Sequence, residues 1–246
     1  MRPISKLNVG DSVTTDDGMS HTIKDKYIPY STAKPILVAN FGRFCSYCED
    51  AFHQNRDLEV EHIHPKCKQK YKNQENDWEN FLLSCSTCNG NGNKGKKDVS
   101  FDNCHFPHVN NTFLSLKYMD GGVVVVNPDL SGISKQKAQT LIELVGLDKS
   151  PKTSTMGDAR WHKRSTDWKL AQRYLVKYDN GNVDVDTIID LVRSRGGWSI
   201  WFTVFRGRDD VLFHLISDIQ GTCKECFDSN NHFAPVGRNP GQPDFV

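Results

Sequence analysis

The sequence lacks long apolar segments and carries almost no net charge. No apolar run approaches the roughly 20 residues of a membrane-spanning helix, and the opening stretch MRPISKLNVGDSV lacks the apolar core of a signal peptide. The 31 basic and 30 acidic residues leave a formal net charge of +1, so binding to nucleic acid would depend on local patches. Internal repeats and low-complexity tracts are also missing. We therefore expect a cytoplasmic protein that does not associate with membranes.

Cysteine, in contrast, is plentiful, with eight residues in a chain of 246. That length suits one large domain or two small ones. A charged fraction of 25% and a hydrophobic fraction of 37% are ordinary for a soluble globular protein. Because no secretory signal precedes them, the cysteines favour a reducing compartment and metal ligation over disulfides.

Several segments carry secondary-structure signals. Residues 1–30 mix Gly, Asp, Thr and Ser with few apolar residues, which predicts an irregular arm, and 31–42 predicts a short helix. The run GGVVVVNPD at 121–129 predicts a strand that ends in a turn. Apolar periodicity predicts a helix with Ser134 as its N-cap and Gly146 near its end.

The rest of the C-terminal half also carries helical signals. Residues 167–178 and 184–195 have the periodicity of amphipathic helices. The apolar stretch WSIWFTVFRGRDDVLFHLISDI, residues 198–219, is compatible with a helix or a strand. We expect this stretch to contribute to the core.

Two Cys-x-x-Cys pairs, Cys45–Cys48 and Cys85–Cys88, are the strongest single signal. Four thiolates give zinc a closed tetrahedral site, and a gap of two residues lets one tight turn supply two ligands. The alternative is that these cysteines pack as small hydrophobic residues; two such pairs favour zinc. Because four cysteines leave zinc no open position, we expect this ion to be structural.

A second centre lies in the loop between the two pairs. Glu61 offers a hard oxygen ligand beside His62, whose ordinary pKa suits a general base at neutral pH. Asn89, directly after Cys88, offers a second hard ligand. A carboxylate, an amide oxygen and waters describe a Mg²⁺ or Mn²⁺ site, which would stabilise charge on a phosphodiester.

In this order the residues resemble the HNH nuclease family with its ββα-metal fold. The resemblance runs through the first cysteine pair, Glu61-His62-Ile63-His64-Pro65, Asn80 and the second pair followed by Asn89. It implies that Glu61 and Asn89 bind the catalytic metal, that His62 is the general base and that Asn80 positions the loop bearing the base. Glu61 departs from the commoner Asp, and CNGNGNKGKK lengthens the usual stretch before Lys94.

A broader resemblance is to the PtuB-type HNH proteins of Septu and retron antiphage defence. It rests on YCE (47–49), EVEHIHPK, DWENFLLSC, the later QKAQTLIELVGLD and Arg160. Those proteins are encoded beside an ABC-type ATPase. The resemblance therefore implies a PtuA-like ATPase as partner, docked on the helical C-terminal region, and an antiviral role.

Other residues near these motifs allow two interpretations each. His64, Lys66 and Lys94 are candidates for substrate contacts. The alternatives are an exposed His64 that contacts neither substrate nor metal, and a solvated Lys66–Lys72 surface. We expect Trp78 in the core and Cys67 as a free thiol. Asp158, Arg160 and His162 favour a charged helix surface over an added active site. A second zinc site is conceivable from residues of two distant segments: Cys104, His105, His108, Cys223 and Cys226.

The sequence thus predicts an α+β protein with three parts. These are an arm with a short helix at 1–42, a zinc-stabilised HNH nuclease domain at 43–118 and a mainly helical region at 119–246. We expect a metal-dependent endonuclease with structural Zn²⁺ and catalytic Mg²⁺ or Mn²⁺. Its substrate is nucleic acid; DNA is favoured over RNA, but the sequence does not decide between them. The alternative is a non-enzymatic zinc module that binds nucleic acid or protein.

Overall fold

The fold mixes helices with small sheets, in a computed structural model that describes residues 1–150 and 158–246. The helices are α1 (Lys34–Phe41), α2 (Ser86–Asn89), α3 (Thr112–Ser115), α4 (Gly132–Val145), α5 (Arg160–Asp179), α6 (Val185–Arg195), α7 (Trp198–Val204) and α8 (Asp209–Ser217). The strands are β1 (Ser12–Thr14), β2 (Ser20–Thr22), β3 (Leu58–His62), β4 (Phe81–Cys85), β5 (Leu116–Met119), β6 (Val123–Val126), β7 (Phe227–Asp228) and β8 (Ala234–Pro235). Consecutive strands pair antiparallel, so the described strands form four separate two-stranded sheets.

The first 30 residues differ from the predicted irregular arm. Strands β1 and β2 form a hairpin whose turn is held by the Thr15 hydroxyl, which donates to Asp17 at 2.6 Å. Gly18 supplies the left-handed backbone, at φ +80°, that this tight turn requires. Composition alone missed the hairpin because its strands are three residues long. The short helix predicted for 31–42 is confirmed as α1.

The predicted elements after residue 119 are present with shifted bounds. Strand β6 confirms the Val run, and α4 ends at Gly146, whose φ of +60° is left-handed. The N-cap of α4 is Ser131, not the predicted Ser134. Ser134 lies inside the helix, where its hydroxyl donates to Asp244 at 2.9 Å.

The last predicted helices are also found. The helix predicted at 167–178 belongs to the longer α5, and α6 covers 185–195 with the Asp184 side chain accepting from the Thr187 N–H. The apolar stretch at 198–219 forms two helices, α7 and α8, of which α7 buries Trp198 and Trp201.

The β3–β4 hairpin positions the site described below. Its register places Glu61 opposite Leu82 and Leu58 opposite Cys85. Every residue of β4 is buried, as expected for a strand covered on both faces. Helix α2 begins directly after Cys85, so the hairpin and the single turn of α2 hold the second cysteine pair and Asn89 in sequence.

One main cluster of buried apolar side chains forms the core. It draws Phe41, Trp78, Leu141 and Trp201 into one continuous group, and it therefore includes residues from all three predicted parts. Trp78 is completely buried, as predicted, and its indole N–H donates to the Leu7 carbonyl at 2.8 Å. The boundaries at 42/43 and 118/119 stay a prediction.

The described helices include no candidate for a bilayer crossing. No helix in residues 1–150 or 158–246 combines the length with the apolar character that a membrane-spanning segment requires.

Gly196 gives the first prediction, because it brings the end of α6 against the first cysteine pair. A Cβ at this position would lie 2.0 Å from the Glu49 carbonyl oxygen, and its φ is +77°. Gly181 has a similar φ of +69° but open space around the same atom. We expect Gly196→Ala to lower the free energy of unfolding by about 2–5 kcal/mol, from backbone strain plus overpacking.

The control is Gly181→Ala, another glycine with positive φ but with open space around the added Cβ, which should cost about 1–2 kcal/mol. Urea denaturation of both variants measures the difference. Equal losses would show that the close approach of Gly196 to Glu49 does not matter.

Candidate metal centre and active-site cleft

The four predicted zinc ligands converge in the structure. The sulfur atoms of Cys45, Cys48, Cys85 and Cys88 all lie within 4.8 Å of one another, and all four residues are buried. Tetrahedral zinc with Zn–S bonds of about 2.3 Å needs sulfurs about 3.8 Å apart. The Cys48 and Cys85 sulfurs are 3.8 Å apart, too far for a disulfide, whose bond is about 2.05 Å. The quartet therefore fits a zinc ion.

Backbone hydrogen bonds shape the first cysteine pair into a tight turn. The Cys45 N–H donates to the Asp50 carbonyl at 3.0 Å, and the Glu49 N–H donates to the Cys45 carbonyl at 3.0 Å. Glu49 adopts a left-handed φ of +65°, which lets the chain reverse after Cys48. The Ser46 N–H donates to Leu83 of β4 at 2.8 Å, and this bond ties the turn to the hairpin.

Arg160 contacts the quartet from the C-terminal half. Its guanidinium donates to the Cys88 sulfur at 3.1 Å and to the Val145 and Gly146 carbonyls at 2.8 and 3.2 Å. Asp158 binds it bidentately at 2.7 and 2.8 Å. Because Asp158 and Arg160 are buried, the predicted surface of helix charges is wrong for these two residues; His162 is exposed.

A cleft of about 400 Å³ lies beside the quartet. Acidic and amide groups share it with three lysines. Its lining comes from the turn before α1 and the first residue of α1, from β3 and the segment after it, and from the end of α2 and the loop that follows: Tyr30, Ser31, Lys34, Glu59, Val60, Glu61, His62, Pro65, Lys66, Cys67, Asn89, Asn91, Gly95 and Lys96. The predicted Glu61, His62 and Asn89 thus line one cavity.

Glu61 lies at the buried end of this cleft. Its Oε1 is 3.3 Å from the Lys94 ammonium and accepts from the Tyr47 hydroxyl at 3.3 Å. Burial raises the pKa of Glu61 to about 7, although Lys94 and Tyr47 oppose the shift and Glu59 adds to it. Because burial makes the charged form of Glu61 unfavourable, a cation nearby would stabilise that form.

His62 is held by one ring nitrogen and two aromatic neighbours. Its Nε2 lies 2.9 Å from the Glu75 carbonyl oxygen, and its ring packs edge-on against Tyr30 and Phe81. Because a carbonyl can only accept, Nε2 carries the proton and Nδ1 keeps the lone pair. Burial lowers the pKa of His62 below its ordinary value, which favours the neutral ring.

Asn80 connects three segments next to His62. Its Oδ1 accepts from the His64 N–H at 2.7 Å, and its Nδ2 donates to the carbonyls of His64 and Gln74 at 3.1 and 3.0 Å. Its own carbonyl accepts from the Ile63 N–H at 2.9 Å. The side chain fixes the backbone that leaves β3 after His62; its role in catalysis stays a prediction.

The predicted substrate contacts fall in different places. Lys66 lines the cleft, with its ammonium 3.8 Å from the Tyr30 ring centre. His64 lies after the end of β3, stacked on Tyr71 at 4.4 Å, and is not among the lining residues. Lys94 is buried, and its ammonium donates to the His62 carbonyl at 2.9 Å. Substrate binding by these three stays a prediction.

The lysines after Lys66 fit the solvated interpretation. Lys70 pairs with Asp98 at 2.9 Å and Lys72 with Glu75 at 2.6 Å. Cys67 is an exposed free thiol, as predicted, at the cleft.

The second zinc site is not formed. Within residues 1–150 and 158–246, the cysteine quartet is the only group of three or more potential ligands close enough to share an ion. His105 instead bonds Asp244 at 2.9 Å and the Ser115 hydroxyl at 2.8 Å. Both of its ring nitrogens are thereby occupied.

Sequence analysis missed several residues of the cleft. Glu59 lies two residues before Glu61 on β3, so the alternation of side chains along a strand places both on the same face. Tyr30 and Lys34 belong to a segment distant in sequence, which reaches the cleft because α1 packs on the β3–β4 hairpin. No local sequence pattern indicates that these two residues line the cleft.

The one family match falls on the cysteine quartet and on the segment between its two pairs. Residues 45–96 match the family model of the HNH endonuclease. This match covers about a fifth of the chain and includes the quartet, Glu61, His62, Asn80 and Asn89. None of the curated proteins compared with the chain matches it. The HNH match supports nuclease activity and a nucleic-acid substrate.

Zinc loading gives the second prediction. We expect purified protein to hold one zinc ion and Cys88→Ser to lose it, because binding energy of a structural metal is folding energy. A loss of about 5 kcal/mol lowers Tm by roughly 10 °C or more in a chain of this size. Elemental analysis and thermal melts measure both effects.

The control is Cys67→Ser, which removes an exposed thiol outside the quartet. This variant should keep its zinc and its Tm. Wild-type protein without zinc, or a Cys88→Ser variant that keeps it, would contradict the assignment.

Proposed function

We propose that this protein is a metal-dependent HNH endonuclease built on a ββα-metal core. The observation that carries the proposal is the convergence of Glu61, His62 and Asn89 on one cleft beside a zinc-compatible quartet. A zinc module that only binds would need the cysteines but not this set of three. The order β3, β4 and α2 is the strand–strand–helix order expected of that core.

His62 acts as the general base through Nδ1. Its Nε2–H is engaged by the Glu75 carbonyl, so the ring is held in one tautomer with its lone pair on the other nitrogen. Tyr30 and Phe81 restrict rotation of the ring. His62 thus takes the proton of the attacking water, and Asn80 holds the backbone on which the ring is placed.

Oxygen ligands from Glu61 and Asn89 would hold Mg²⁺ or Mn²⁺. When bound, such an ion would stabilise the charge that develops on the phosphate oxygens and on the leaving oxygen. The residues fit this role, since a carboxylate and an amide are hard donors and the deeply buried Glu61 lacks full solvation. Lys34, Lys66 and Lys96 bring positive charge to the same cleft, where phosphates of DNA would bind.

Removal of the base gives the third prediction. We expect His62→Ala to lower cleavage by about 10²–10⁴-fold, because water would have no positioned base. The variant should keep its zinc, since His62 is not a quartet residue, and should stay folded, with Tm lowered only by the lost packing against Tyr30 and Phe81. The assay compares plasmid, single-stranded DNA and structured RNA with Mg²⁺ or Mn²⁺.

The matched control is His53→Ala, an exposed histidine outside the cleft, which should cut like wild type. If His62→Ala cut as fast as wild type under every condition where wild type cuts, the HNH mechanism would be wrong. The non-enzymatic zinc module would then be the better interpretation.

We further propose that this nuclease is the effector of an antiphage system with an ABC-type ATPase. The support is the resemblance to PtuB-type proteins and a C-terminal region rich in helices, α4 to α8, whose residues lie largely outside the cleft. This region is the proposed docking surface for the ATPase. A recruiting partner also suits a chain whose net charge of +1 gives no general attraction to DNA.

Association with the ATPase gives the fourth prediction. We expect the protein, co-expressed with a PtuA-like ATPase encoded beside it, to co-elute as one species in size exclusion at micromolar concentration. His62→Ala should co-elute equally well, because the cleft is separate from the proposed docking surface. Two separate peaks would contradict the partnership and leave the nuclease proposal standing.

A further inference from the structure

Glu59 is a charged residue of the cleft that neither the HNH motif nor the proposed mechanism uses. It lies on β3 two residues before Glu61, and alternation along a strand directs both carboxylates to the same face. Both line the same cavity. Glu59 is half-buried, whereas Glu61 is 1% exposed, so the two acids occupy different depths.

The contact that singles out Glu59 is with Asn89. The Asn89 Nδ2 donates to Glu59 Oε2 at 2.6 Å, which is a short hydrogen bond. The amide thus turns its NH₂ group toward the Glu59 carboxyl oxygen and its own oxygen away from it. Glu59 therefore determines which of its two orientations the Asn89 amide adopts.

The consequence concerns the amide oxygen of Asn89. With Nδ2 committed to Glu59, Oδ1 makes no hydrogen bond to any residue that the structure describes, and Asn89 lines the cleft. The backbone is fixed as well, since the Asn89 carbonyl accepts from the Gly95 N–H at 3.1 Å. In the opposite orientation of the amide, its NH₂ group would take the place of Oδ1 in the cleft, and an NH₂ group cannot bind a cation.

We propose that Glu59 is a positioning residue, which orients the Asn89 amide so that its oxygen is available to a divalent cation. This inference rests on the proposed function, because it assigns Glu59 to the site that Glu61 and Asn89 form there. Glu59 acts through Asn89 and not as a ligand itself. Loss of a residue that holds a metal ligand in its orientation typically costs about 10–100-fold in metal affinity or activity.

The test is Mn²⁺ binding to zinc-loaded protein, followed by electron paramagnetic resonance, with cleavage measured alongside. Glu59→Ala should weaken Mn²⁺ binding about 10–100-fold and raise the Mn²⁺ concentration needed for half-maximal cleavage. Glu59→Gln keeps an oxygen that accepts from Nδ2, so it should retain most of the affinity. Asp57→Ala removes an exposed acid just before β3 and should bind like wild type.

A double-variant cycle shows whether Glu59 acts through Asn89. The pair Glu59→Ala with Asn89→Ala should bind Mn²⁺ as Asn89→Ala does alone, because coupled residues are non-additive. Additive losses, or a Glu59→Gln variant as weak as Glu59→Ala, would overturn positioning and favour direct ligation.

Failure of the inference and failure of the nuclease proposal have different signatures. If wild type binds Mn²⁺ and cuts, and Glu59→Ala does both equally well, only the role of Glu59 is refuted. If wild type neither binds Mn²⁺ nor cuts any substrate, with or without the ATPase, both proposals are overturned.

Discussion

Convergence of four buried thiols is the constraint on which the rest of the site depends. The stretch from Cys48 to Cys85 contains all of β3 and ends with β4, so one ion at the quartet would close the hairpin. Thiolates so close together repel unless a cation joins them, and zinc would supply that cation. The free energy of zinc binding thereby becomes free energy of hairpin formation. The cysteine quartet and the proposed catalytic residues Glu61, His62 and Asn89 are thus parts of one folded unit.

The buried charged residues next to the quartet are also paired with opposite charge. Arg160 donates to Cys88, and a zinc ion with four thiolates carries net negative charge that a guanidinium offsets. Asp158 in turn binds Arg160, so no charge in this group is buried alone. Because Arg160 also binds the carbonyls at the end of α4, it links the quartet to α4 and α5. Loss of zinc would therefore weaken the packing of these helices as well.

The parts predicted from sequence are those that depend on local spacing. Two Cys-x-x-Cys turns, the Glu61-His62 neighbours and Asn89 after Cys88 have fixed offsets, and most helices follow from apolar periodicity. Long-range packing escaped prediction: Arg160 was interpreted as a surface charge, yet it is buried because it meets Cys88 across 72 positions of chain. The sequence left open a second zinc site among distant Cys and His residues, because composition cannot tell which side chains converge; among the described residues only the quartet comes together. Glu59 was overlooked although its spacing from Glu61 carried the signal.

The single turn of α2 connects the cysteine quartet directly to the cleft. Cys88 belongs to the quartet, and the next residue, Asn89, reaches across to Glu59 on β3. Adjacent helical residues point in different directions, separated by about 100° around the axis. One turn can therefore place a sulfur in the quartet and an amide in the cleft. The quartet fixes the backbone of Asn89 through Cys88, and Glu59 fixes its side-chain NH₂ group. The orientation of the Asn89 amide oxygen is therefore restricted.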